Sequence, residues 1–163
     1  MRVIISAGGT GGHIYPALAI ANKIKEKDKS AEILYIGTKN RMEKDIVPNY
    51  GYKFIGISVE GLKRSLSLRN IKSVFLFINS IKKCKKIIKK FKPDVVIGVG
   101  GYVSAPTVYA AYKLGIKCCI HEQNSCFSRC IISYGNSGYH LEYVFFNRHW
   151  GLYFSEAGRL FFN

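Results

Sequence analysis

Short apolar runs alternate with longer amphipathic stretches along most of the chain. Val3, Ile4 and Ile5 form the first run. Residues 33–36, 53–59, 95–97 and 118–120 form four more. Runs this short, apolar at successive positions, are typical of strands buried on both faces. Between them, Ile14, Leu18, Ala21 and Ile24 recur at helical spacing. Pro16 is expected in the first turn of that helix, where a missing N–H costs nothing. Residues 40–47 predict a short helix ended by Pro48. A long helix is predicted from Asn70 to Phe91. A last one runs to Leu114, with Ser104 as N-cap, Pro106 in the first turn and Gly115 as its stop. Strand and helix alternate throughout, so the expected fold is α/β, a Rossmann-like, doubly wound parallel sheet.

The long helix carries two apolar faces. Leu76, Phe77, Ile81, Cys84, Ile87, Ile88 and Phe91 share one arc, the expected core face. Ile71, Phe75 and Ile78 lie on another, beside Lys82, Lys85, Lys86 and Lys89. That second arc reads either as a surface that rests on anionic lipid or as a solvated lysine face touching a neighbouring element.

The strand ends carry the candidate chemistry. Gly8, Gly9, Thr10, Gly11 and Gly12 follow the first strand and lead into a helix. Free N–H groups and the helix dipole make such a junction an anion site. It is not a P-loop, because no Gly-Lys-Ser/Thr follows, and it is not G-x-G-x-x-G, because the last position is Ile14. In doubly wound sheets ligands bind beyond the carboxyl ends of the strands. Three segments are expected to meet there: Gly8–His13, Gly100–Ser104 and His121–Asn124.

Composition narrows the partners. The 163 residues suffice for one domain with a core, and the net charge of +15 calls for an anionic partner. No apolar run reaches the roughly 18 residues of a membrane span, and no signal peptide is visible. The five cysteines lack zinc-finger spacing and are expected to be reduced, cytosolic thiols. Nucleic acid is not an expected partner, since the lysines concentrate on one helix without interleaved stacking aromatics.

The strings AGGTGGHIYPALA, LYIGTKNRMEKDIVP, KPDVVIGVGGYVSAP and HEQNS, in unbroken order over residues 1 to 125, closely resemble the MurG family of glycosyltransferases. The resemblance implies the N-terminal half of a GT-B enzyme, with two Rossmann-like domains facing a cleft. It implies transfer of N-acetylglucosamine (GlcNAc) from UDP-GlcNAc to the C4 hydroxyl of the muramic acid in lipid I. The product is lipid II of peptidoglycan, formed with inversion and with no metal or other cofactor. Carried onto this chain, Thr10, Gly11, Gly12 and Asn124 would contact the donor. Gly9, Gly100, Gly101, Tyr102 and Ser104 would cradle the acceptor diphosphate. The family's membrane patch falls on the face of Ile71, Phe75 and Ile78, which implies a peripheral place on the cytoplasmic, anionic face of the bacterial cell membrane. An inverting transfer needs a base for the acceptor hydroxyl proton. His13 is the first candidate and Glu122 the second, while His13 as a loop brace and Glu122 as an orienting group stay open.

The resemblance stops after Ser125. The last lysine is Lys117, and the remainder is crowded with Tyr, Phe, Ser and Cys. Such a shift fits a changed reading frame over residues 126–163. The nucleotide-sugar domain is then absent, and the chain alone is expected to be inactive. The alternative is the acceptor- and membrane-binding half of a split glycosyltransferase, with a partner chain that holds the nucleotide sugar.

Overall fold

A computed structural model describes residues 1–60, 68–122, 129–133 and 139–140. Among them β1 is Arg2–Ala7, α1 Gly11–Lys27, β2 Glu32–Thr38, α2 Glu43–Asn49 and β3 Lys53–Ile57. Then come α3 Leu68–Phe91, β4 Val95–Gly100, α4 Ser104–Tyr112 and β5 Lys117–Glu122. β6 (Arg129–Ser133) and β7 (Tyr139–His140) follow. The sheet order is β3-β2-β1-β4-β5-β6-β7. The first five strands pair in parallel, and β6 and β7 add antiparallel at one side. The expected doubly wound parallel sheet is therefore present.

Alternation within β1 sorts the core into two layers. Val3, Ile5 and Ala7 face Ile14, Ala17, Leu18, Ala21 and Ile24 of α1. Ile4 faces the other way, into a cluster with Cys84 and Ile88 of α3 and Ala110 and Ala111 of α4. Side chains of a strand point to opposite faces in turn, so a continuous apolar run serves both layers.

Several local expectations need correction. Pro16 sits in the second turn of α1, past the four residues whose N–H groups lack an intrahelical partner. Pro48 lies inside α2, one residue before its end, so it does not stop that helix. Ser104 is the first residue of α4 with Val103 as N-cap, because its hydroxyl turns back into the sheet. Phe77 is 37% exposed, while Ser73 and Ser80 are buried. The Ser80 hydroxyl reaches the Ser58 carbonyl at 2.7 Å, an approach too close to admit a phenyl ring at that level. Cys84 and Cys118 are free and buried, but Cys119 is disulfide-bonded, against the expectation of reduced thiols throughout.

Candidate functional site

The strand order reverses between β1, which leads back to β2 and β3, and β4, which leads on to β5. In doubly wound sheets the crevice that takes ligands lies at such a switch point, outside the carboxyl ends of the strands, here β1 and β4. The two glycine segments meet there. Gly8 N–H donates to the Gly100 carbonyl at 3.3 Å. Gly101 has φ +79°, and a Cβ on it would run into the Gly8 carbonyl. Only a bare backbone permits this crossing.

Gly9 turns the chain at φ +93°, and Thr10 follows in extended conformation as the N-cap of α1. The Thr10 side chain makes no capping hydrogen bond, and its Oγ1 lies toward Gly12. Gly11 and Gly12 open the helix, where N–H groups have no intrahelical acceptor. The positive end of a 17-residue helix thus faces the crevice through three small residues.

His13 sits on the first turn of α1, and a Cβ on Gly100 would meet its imidazole ring. It stands where the two glycine segments converge. Behind Gly100, Ser104 Oγ accepts the Gly100 N–H at 3.1 Å and lies 2.7 Å from both the Ser6 and Gly100 carbonyls. Ser6 Oγ continues the buried chain to Thr107 Oγ1 at 3.1 Å, and Cys84 Sγ lies 3.5 Å from the same oxygen. This network ties β1, β4, α3 and α4 together below the crevice. Tyr102 is 68% exposed at its rim.

The structure thus brings Gly9, Thr10, Gly11, Gly12 and His13 together with Gly100, Gly101 and Ser104. The third segment is seen in part. His121 and Glu122 belong to β5 rather than to a loop after it. The side chain of Glu122, and Asn124 as a whole, lie outside the described residues, as does the side chain of Ile71.

One contributor was missed. Glu43 is fully buried, and its carboxylate accepts the N–H groups of Thr38 at 2.9 Å and Gly9 at 3.3 Å. It lies near Tyr35, whose hydroxyl is pushed well above its ordinary pKa by burial and then by the Glu43 charge. The sequence holds only a weak signal, an acidic residue opening a short helix, which is ordinary dipole complementation.

On the opposite side of the sheet from α1, the second arc of α3 is open. Phe75 is 64% and Ile78 45% exposed, with Val74 beside them. Lys82, Lys86 and Lys89 are exposed along the same helix, and Lys85 is half-buried. Among the described residues no helix is long and apolar enough to cross a membrane, and no group of three or more His, Cys, Asp or Glu is placed to hold a metal ion.

Comparison with known proteins shows what the chain is similar to. The model of the glycosyltransferase family 28 N-terminal domain matches residues 3–129. Among curated proteins, an N-acetylglucosamine transferase of Alkaliphilus oremlandii is 59% identical over 124 residues. Its full name is UDP-N-acetylglucosamine--N-acetylmuramyl-(pentapeptide) pyrophosphoryl-undecaprenol N-acetylglucosamine transferase, and the match covers 76% of this chain and 34% of that protein. The protein of the same name from Limosilactobacillus fermentum is 53% identical over 125 residues, covering 77% and 34%. The crystal structure of Acinetobacter baumannii MurG superposes with a TM-score of 0.66 at 31% identity, over 76% of this chain and 36% of that one. The chain therefore spans 34% of the length of these curated relatives.

Proposed function

Because the chain belongs to the glycosyltransferase family 28 N-terminal domain family, we propose that it is the acceptor-binding half of an inverting transferase that moves GlcNAc from UDP-GlcNAc to lipid I. The observation that carries this reading is the meeting of two glycine segments at the switch point, under a helix N-terminus and beside a histidine. The names of the relatives supply the substrate class.

In this reading the segment of Gly9, Gly100, Gly101, Tyr102 and Ser104 shapes the seat of the acceptor diphosphate. Gly9 and Ser104 do so from behind, since the N–H of one and the hydroxyl of the other are held inward. Thr10, Gly11 and Gly12, with Asn124, meet the donor. The leaving UDP gains negative charge, which the α1 N-terminus stabilises without a cation. His13, between the two groups, takes the proton of the acceptor hydroxyl, a role for which Glu122 is the alternative. The rest of the donor site comes from sequence that the relatives have beyond the matched third, in the same polypeptide or on a partner chain.

The exposed face of α3 would seat the protein peripherally on the anionic, cytoplasmic surface of the bacterial cell membrane. Phe75 and Ile78 enter the headgroup boundary, while Lys82, Lys86 and Lys89 meet lipid charge. Cosedimentation with phosphatidylglycerol vesicles tests this. The double variant Phe75→Glu, Ile78→Glu is expected to stay folded and to lose most of its vesicle binding. Equal binding by both proteins would refute the membrane face.

Calorimetric titration of the chain with a water-soluble lipid I analogue tests the acceptor role. Saturable binding that is lost when the pyrophosphate is removed is expected. Failure to bind the intact analogue would sink the reading.

A further inference from the structure

The carboxylate of Glu43 has no role in the reaction as described, yet among the described residues it is the most completely enclosed acidic side chain next to the crevice. It opens α2, and none of its surface reaches solvent. Burying a carboxylate is costly unless its oxygens are satisfied. Among the described residues no ion pair reaches it, and what satisfies it is backbone. Oε1 accepts Thr38 N–H at 2.9 Å and Gly9 N–H at 3.3 Å, and Oε2 lies 3.4 Å from the same Gly9 nitrogen. Thr38 closes β2, and Gly9 lies in the loop that follows the neighbouring β1. The side chain also fills the space over Gly8 and Gly37, where a Cβ on either residue would meet it.

These contacts make a strut between the ends of two parallel strands. Gly8 N–H is already turned inward to Gly100. With Gly9 N–H turned inward to Glu43, the left-handed turn at Gly9 is fixed, and the next amides, of Thr10, Gly11 and Gly12, are set at the helix N-terminus. We propose that Glu43 is a positioning residue for anion binding: by fixing Gly9 it holds the wall of the acceptor diphosphate seat, beside Gly100 and Gly101, in the one conformation that admits the diphosphate. Glu43 touches no substrate. The inference rests on the reading of the crevice as a diphosphate site.

Glu43→Gln separates positioning from packing. The volume is kept, and the amide oxygen still serves Thr38, the shorter bond. The Gly9 N–H, shared between Oε1 at 3.3 Å and Oε2 at 3.4 Å, then keeps one neutral acceptor and confronts the amide NH2, so the Gly9 bond is the one weakened. The experiment uses the chain with a water-soluble lipid I analogue and residue-resolved amide exchange. The variant is expected to keep the protection of Thr38 and of the β1 core while Gly9 loses about tenfold, the order expected for one hydrogen bond to a charged acceptor. Affinity for the analogue is expected to fall by a similar factor. Unchanged Gly9 exchange, or lost Gly9 protection with full affinity, overturns the inference. Failure of the unsubstituted chain to bind the analogue overturns the diphosphate reading instead, and the proposal with it. If Glu43→Gln does not fold, Glu43→Asp, one methylene shorter, withdraws the carboxylate from Gly9 and Thr38 alike; Gly9 protection and affinity for the analogue are then expected to fall together while the β1 core stays protected, and full affinity with lost Gly9 protection overturns the inference.

Discussion

At the scale of single residues, the crevice depends on how closely two stretches of backbone approach. Gly101 lies at φ +79° against the Gly8 carbonyl, so a methyl group there meets both a backbone penalty and a collision. Gly101→Ala is expected to cost about 1–3 kcal/mol, read as a lower urea midpoint, and to weaken binding of the lipid I analogue. Far from the crevice, Asp28 is held at a pKa of about 2 by the Ser30 hydroxyl and then by the N-terminal ammonium. A depressed carboxyl pKa stabilises the fold above its ordinary value of 3.8, and that contribution is lost as pH falls toward 2. Asp28→Asn is expected to lower stability near neutrality, where that contribution is fully present, and to flatten the acid-unfolding curve in that window. Burial raises the Cys118 thiol to about 11. Its alkylation at pH 8 should therefore be slow until the protein unfolds. Glycines and His13 were legible because few other sequences put so little side chain at a strand-to-helix junction. Glu43 was not, because a carboxylate opening a short helix looks the same in sequence whether it faces water or the interior.

At the scale of elements, α3 carries two surfaces on one helix. Its buried seam passes through Ser73, Ser80, Cys84 and Ile88. Ile88→Ala is expected to destabilise the chain by about 2–5 kcal/mol, measured by urea unfolding, because the site is enclosed and cannot collapse freely. The apolar arc with Phe75 and Ile78 was legible from helical spacing alone. The serines in the seam were not, since their burial depends on carbonyl partners such as Ser58 that spacing does not reveal. The five parallel strands were legible because a strand covered on both faces must be apolar at consecutive positions. Pro16 and Pro48 misled for a common reason. Proline forbids one hydrogen bond and disfavours helix at the preceding residue, yet packing of Ile14, Leu18 and Val47 outweighs that local preference.

At the scale of the whole molecule, sheet topology turns separate motifs into one site. The order β3-β2-β1-β4-β5 places the loops after β1 and β4 side by side. They are separated in sequence by some ninety positions, from Gly8 to Gly100, and joined by a hydrogen bond. The alternation of strands and helices made this topology predictable. The antiparallel β6 and β7 were not anticipated, because residues 126–163 lack a sustained hydrophobic period. The chain matches 34% of the length of its curated relatives, and the account assigns it the acceptor side of their reaction. With UDP-GlcNAc and lipid I supplied, the isolated chain is expected to give no detectable transfer, checked by release of UDP.

The central claim, that the crevice between the β1 and β4 loops seats a pyrophosphate-linked acceptor, is tested most directly by following backbone amide resonances while a water-soluble lipid I analogue is added. Saturable shifts centred on Gly9, His13 and Gly100 to Tyr102 are expected, with the β3 edge undisturbed. Shifts absent from both glycine segments at saturation would contradict the claim.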